Sequence, residues 1–108
     1  MQLSPLTAIS PIDGRYNKAT SQLAEYFSEY ALIKYRLKVE VEYFIALSEK
    51  KFFKADIKLK NALRLIADNF SEEDALEIKK TEGITNHDVK AVEYFLKEKL
   101  EMLLQTIL

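Results

Sequence analysis

An all-α fold is what this sequence predicts, and three observations carry the prediction. Glycine and proline number only two each in 108 residues, and Pro5, Pro11 and Gly14 all fall before residue 15. A fold of many short strands needs turn residues along its whole length. Apolar residues recur at spacings of three and four, the period of a helix face. Residues that cap helices stand before those stretches. The expectation is a small all-α domain of about five helices behind an irregular N-terminal arm, residues 1–16.

Composition agrees. The chain is one domain's worth, with 48% hydrophobic and 31% charged residues, too apolar for disorder. At this size roughly 65% of the unfolded surface can be buried, enough for one modest core. The formal net charge of -1 recruits neither nucleic acid nor membrane. Without cysteine there is no disulfide scaffold and no thiolate metal or redox site, which fits a reducing cytoplasm. The start, MQLSPLTAISPIDGRY, reads as neither signal peptide nor anchor, and no apolar run approaches the roughly 18 residues of a spanning helix.

The elements follow in order. Pro11-Ile12-Asp13-Gly14 is a turn signal ending the arm. A short helix is expected around residues 18–27, with Leu23, Tyr26 and Phe27 as its apolar face. Ser28 is a plausible N-cap for a longer helix, about 29–49, whose stripe is Tyr30, Ile33, Leu37, Val41 and Phe44. Within it RLKVEVEY, residues 36–43, alternates like a strand. Opposite charges at Arg36/Glu40 and Lys38/Glu42 favour the helix, and no turn residue interrupts the pattern.

KKFFKADIKLK, residues 50–60, carries five lysines. A third helix is expected over about 55–70, with Leu59, Leu63, Ile66, Ala67 and Phe70 inward. Ser71 with Asp74 reads as a capping-box-like start for a fourth, which Gly83 ends as its C′ residue. The last helix begins near Asn86, with Val89, Val92, Leu96, Leu100, Leu103 and Ile107 as its stripe. Its end, LEMLLQTIL, residues 100–108, has six apolar residues in nine. A free C-terminus is usually polar and frayed, so this tail reads as a contact surface or as a helix cut midway.

The chemistry concentrates at the start of that last helix. Thr85 or Asn86 can be its N-cap, and Asp88 then lies in the first turn beside the positive end of the helix dipole. Capping explains Thr85, Asn86 and Asp88 without any ligand; the plain reading of His87, the single histidine, is an exposed first-turn residue. The functional reading is that a helix N-terminus attracts anions. Asn86 offers an amide, Asp88 accepts from hydroxyls, and His87 donates or accepts near neutral pH. The set suits a polar ligand bearing carboxylate or phosphate. One histidine and one carboxylate are too few for zinc, and no metal or cofactor is expected.

Other candidates are weaker. Arg15 and Tyr16 place a guanidinium fork beside a phenol, fit for phosphate or simply for a surface turn. The lysines of 50–60 with Phe52 and Phe53 between them could engage nucleic acid, but a solvated loop and helix face is the simpler reading. No serine–histidine triad can be built with confidence on one histidine, and no glycine-rich phosphate loop occurs.

SPIDGRY, residues 10–16, and TNHDVKAVEYFLKEK, residues 85–99, resemble two motifs of the adenylosuccinate lyase family, within the fumarase/aspartase superfamily. SEY near residue 30 and SEED at 71–74 add looser likeness, and nothing after Lys99 adds more. The resemblance implies a small helical N-terminal domain of a longer lyase, spanning residues 1–108. Such enzymes eliminate fumarate from adenylosuccinate, giving AMP, and from the succinyl-carboxamide intermediate of purine synthesis, SAICAR. They work as cytoplasmic homotetramers whose sites draw on three subunits. It also implies substrate-binding roles for Arg15, Tyr16, Asn86, His87 and Asp88, with His87 positioning substrate and possible as an auxiliary in proton transfer. The family's further catalytic histidine and its GSS-x-MP-x-K-x-N loop are absent from these 108 residues, so the chain alone is expected to be inactive. The competing reading is a stand-alone interaction module that uses its last helix as a groove ligand.

Overall fold

The computed structural model describes residues 1–107, and the side chains of residues 1–105. Among the described residues there is no strand. The helices are α1 (Asn17–Thr20), α2 (Ala24–Phe27), α3 (Glu29–Glu49), α4 (Ile57–Asp68), α5 (Glu72–Thr85) and α6 (Asp88–Ile107), with a 3₁₀ turn, Ser21–Leu23, between the first two. The all-α reading therefore stands. The chain separates into two compact units, Met1–Leu32 and Ile33–Leu108.

The first unit is wound from turns. Ser4 and Thr7 clasp each other: the Ser4 amide donates to Thr7 Oγ1 at 2.8 Å, and the Thr7 amide to Ser4 Oγ at 3.3 Å. The turn read at residues 11–14 forms, with the Asp13 and Gly14 amides donating to the Ser10 carbonyl. Gly14 is required by contact rather than by conformation. A Cβ there would lie 2.4 Å from the Pro5 carbonyl oxygen. Thr20 Oγ1 donates back to the Ile12 carbonyl at 2.9 Å and ties α1 to the arm.

The single helix expected over 18–27 is broken into α1, the 3₁₀ turn and α2. Its expected inward face is exposed: Leu23 is 50%, Tyr26 59% and Phe27 82% accessible. Short helices draw most of their stability from packing, and here that packing is missing.

In the second unit α3 is continuous through residues 36–43, as its charge pattern and missing turn residues predict. The charges pair elsewhere than expected. Arg36 reaches Asp88 at the start of α6 at 3.3 Å, and Glu42 takes a two-pronged grip from Arg64 of α4 at 3.1 and 3.2 Å. Ser28 caps α3, its Oγ accepting the Ala31 amide at 3.1 Å. The far end closes as a Schellman turn: the Phe52 amide donates to Leu47 and the Lys51 amide to Ser48. Lys51 therefore sits at φ 66°, where glycine is the usual residue.

Asp56, not singled out in the sequence, caps α4 by accepting the Leu59 amide at 2.8 Å. Ser71 and Asp74 form the reciprocal capping box read from the sequence. Gly83 does not end α5. The helix runs through it to Thr85, and Asn86 takes the left-handed conformation at φ 55°. Asparagine is the common non-glycine residue there, because its short polar side chain tolerates the geometry.

The core joins Ile33, Leu37, Val41 and Ile45 of α3 to Leu63 and Ile66 of α4, Ile78 of α5 and the inner side of α6. On α6 the buried residues are Ala91, Val92 and Phe95, whereas Val89, Leu96, Leu100 and Leu103 of the expected stripe are half-buried. The apolar band is wider than one residue per turn, and the sequence pattern marked its edge. Phe95 meets Phe70 edge to face with centroids 5.7 Å apart. In the tail Leu103 and Leu104 are half-buried and Met102 is 54% exposed, while the side chain of Ile107 and all of Leu108 lie outside the described residues.

Candidate functional site at the corner of α5 and α6

Only Asn86 and His87 separate α5 from α6, and α6 packs directly on α5. The left-handed Asn86 makes so short a reversal feasible. Its amide donates to Glu82 at 2.7 Å, closing α5. The N-cap of α6 is then His87, neither Thr85 nor Asn86. The His87 carbonyl accepts the first helical amide, from Ala91, at 3.1 Å. Its ring Nδ1 accepts the Lys90 amide at 3.3 Å, the role usually taken by a serine or aspartate oxygen. Thr85 Oγ1 accepts the His87 amide at 3.3 Å, so the threonine holds the cap from behind. With Nδ1 accepting, a neutral ring carries its proton on Nε2.

Asp88 opens the first turn, as expected. One carboxylate oxygen accepts the Val89 amide at 2.8 Å and the other faces Arg36. Lys79, Glu82 and Gly83 complete the surroundings. With Asn86, His87 and Asp88 they line an open depression of about 540 Å³. Lys79 Nζ and Glu82 Oε1 pair across it at 3.2 Å. The fixed charges nearly balance and the Val89 and Lys90 amides are taken by Asp88 and His87, so what remains to attract an anion is the dipole of a 20-residue helix. Asn86, His87 and Asp88 are all exposed.

Arg15 and Tyr16 fall in the first compact unit. Both are exposed, and the guanidinium lies 5.3 Å from the Tyr16 ring centroid in a cation–π contact. Of the two phenylalanines in the lysine-rich stretch, Phe52 stays 75% exposed and only Phe53 is packed away. Phe53 packs on Phe44 with centroids 4.5 Å apart, and Lys60 faces Glu49. Among the described residues no group of three or more histidines and carboxylates could hold a metal ion, and no helix is long and apolar enough to cross a membrane.

Three participants were missed in the sequence. Lys79 and Glu82 precede Asn86 by seven and four residues, which puts all three on one helix face; that spacing could have found them. Arg36 comes from 52 positions away and had a nearer apparent partner in Glu40, so only the fold reveals it.

The fold and the corner define a class before a particular protein: a small all-α domain with an open polar depression where two helices meet. The relatives are more specific. No family model matches the chain. Curated relatives do, and they are adenylosuccinate lyases. The chain is 54% identical to that of Dictyostelium discoideum over 97% of its own length and 24% of the relative's. It is 52% identical to that of Escherichia coli K12 and 51% to that of Vibrio cholerae, each over 93% of the chain. The chain thus spans about a quarter of the length of the curated relatives it matches.

Proposed function

We propose that this chain is the N-terminal, substrate-binding domain of an adenylosuccinate lyase. Identity near one half over almost the entire chain carries the reading. The whole enzyme eliminates fumarate from adenylosuccinate and from SAICAR, releasing the nitrogen of the nucleotide product. A base takes the proton beside a carboxylate, and an acid protonates the departing nitrogen. Neither group needs to come from this domain. Its part is to bind and orient substrate: Arg15 and Tyr16 toward the phosphate, and Asn86, His87 and Asp88 toward the reacting end.

The geometry of the corner supports that division. His87 is anchored through Nδ1, which leaves Nε2–H as its outward donor. A donor on a capped helix end is pre-oriented, and pre-orientation is what a positioning residue contributes. A site assembled from several domains and subunits loses that advantage when one piece stands alone. The 108 residues by themselves therefore have no lyase activity, and a cytoplasmic homotetramer is the setting in which they work.

The test is a chimera. This chain replaces the matching segment of the E. coli enzyme, with which it shares 52% identity. The chimera cleaves adenylosuccinate, followed by the fall in ultraviolet absorbance, and the isolated chain does not. A folded chimera without turnover would overturn the assignment; turnover by the isolated chain in a clean preparation would overturn the dependence on the other domains.

A further inference from the structure

Helix α3 has two apolar faces. Ile33, Leu37, Val41 and Ile45 point into the core and are at most 4% exposed. On the opposite side Tyr35, Val39 and Tyr43 stand at spacings of four and are 39, 65 and 62% exposed. At about 100° per residue these three fall within a narrow outer stripe centred on Val39. An exposed tyrosine-rich stripe on a long, rigid helix has the composition of an interface core.

The pattern is symmetric about Val39. A tyrosine stands four residues before it and another four after. Both flanking basic residues, Arg36 and Lys38, precede Val39, and both acidic ones, Glu40 and Glu42, follow it. Lys38 and Glu42 edge one side of the stripe; Arg36 and Glu40 edge the other. We infer that α3 is a self-complementary surface on which a second copy of this chain docks antiparallel, with Val39 at the two-fold axis.

Reversal is what makes the charges agree. In an antiparallel pair Tyr35 of one copy meets Tyr43 of the other, Lys38 faces Glu42 and Arg36 faces Glu40. A parallel pair would set like charge against like. An isologous two-fold contact requires one patch that complements itself, and this stripe does. Arg36 and Glu42 keep their contacts to Asp88 and Arg64, so across the interface they act through their field rather than by new bonds. The contact is one helix face, of the small class, and a reversible dimer with Kd on the order of 10–100 µM is expected. This inference stands apart from the lyase assignment and survives its failure.

Sedimentation equilibrium of the chain from about 5 to 500 µM tests it. The expected result is a monomer–dimer equilibrium that Val39→Glu shifts at least about tenfold toward monomer, with an unchanged circular dichroism spectrum because Val39 makes no core. The chain has no cysteine, so orientation can be read by cross-linking. A mixture of Tyr35→Cys and Tyr43→Cys chains oxidises to the mixed disulfide in preference to either homodimer. A monomer at every concentration would overturn the inference. So would a dimer indifferent to Val39→Glu, which would point to the α6 tail, or cross-linking that prefers like with like.

Discussion

Nδ1 of His87 accepts the backbone amide of Lys90 at 3.3 Å, and this one bond makes the single histidine both the N-cap of α6 and a residue with one free ring nitrogen. On the proposed function, structural and functional duties fall on opposite sides of the imidazole, so substitutions can separate them. His87→Ala removes both. It lowers the stability of the second unit by about 0.5–1 kcal/mol, as loss of an N-cap does, measured by urea denaturation. A variant as stable as the parent would show that the cap bond contributes nothing.

The two glycines respond to alanine with opposite signs. Gly14→Ala drives a methyl into the Pro5 carbonyl and costs about 1–3 kcal/mol of local stability, seen as faster amide exchange across residues 1–32. Gly83→Ala meets open space inside α5 and stabilises by about 0.5–1 kcal/mol. Equal effects at the two sites would contradict the geometry.

Lys51 holds a left-handed conformation that closes α3. Lys51→Gly relieves the Cβ strain and raises stability by about 0.5–1 kcal/mol, read as a higher urea midpoint at unchanged slope. A lower midpoint would mean that the lysine side chain, not the backbone, holds this turn.

The Glu42–Arg64 pair gives stability a pH dependence. The hydrogen bonds from Arg64, helped by its charge and that of Lys38, hold the Glu42 carboxyl below its ordinary range despite partial desolvation. A depressed carboxyl stabilises the fold at pH above its unfolded value and loses that contribution as pH falls through the folded one. The Arg64 shift is upward and lies in the alkaline extreme. Glu42→Gln is therefore slightly less stable than the parent near neutrality, and the two stabilities converge in acid. A gap that persists below pH 3 would assign the effect to packing.

Most local signals in the sequence were sound, the exception being the helix read over 18–27, which is broken into α1, a 3₁₀ turn and α2. The reach of α3 and its Ser28 cap follow from periodicity and capping chemistry, as does the Ser71–Asp74 box, because each depends on residues within a few positions. What else failed depended on distance or on an unusual use of a residue. Arg36 had a plausible i+4 partner and pairs instead across the fold with Asp88. His87 is outside the usual capping set, so Asn86 drew that role and its left-handed turn was credited to Gly83. Asn86 itself carried the clue, since asparagine is the next choice after glycine at such a position. Phe95 was overlooked because the regular leucines beside it outline the edge of the α6 contact rather than its centre.

The central claim is that His87 positions substrate with the nitrogen its cap leaves free. His87→Asn in the chimeric enzyme tests it most directly, because asparagine is a good N-cap and has no ring nitrogen to reach outward. The account predicts an unchanged melting temperature and a fall in kcat/KM for adenylosuccinate of at least about 100-fold, roughly 2.7 kcal/mol of transition-state binding. Activity within about threefold of the parent chimera, at equal stability, would contradict it and leave His87 a cap alone.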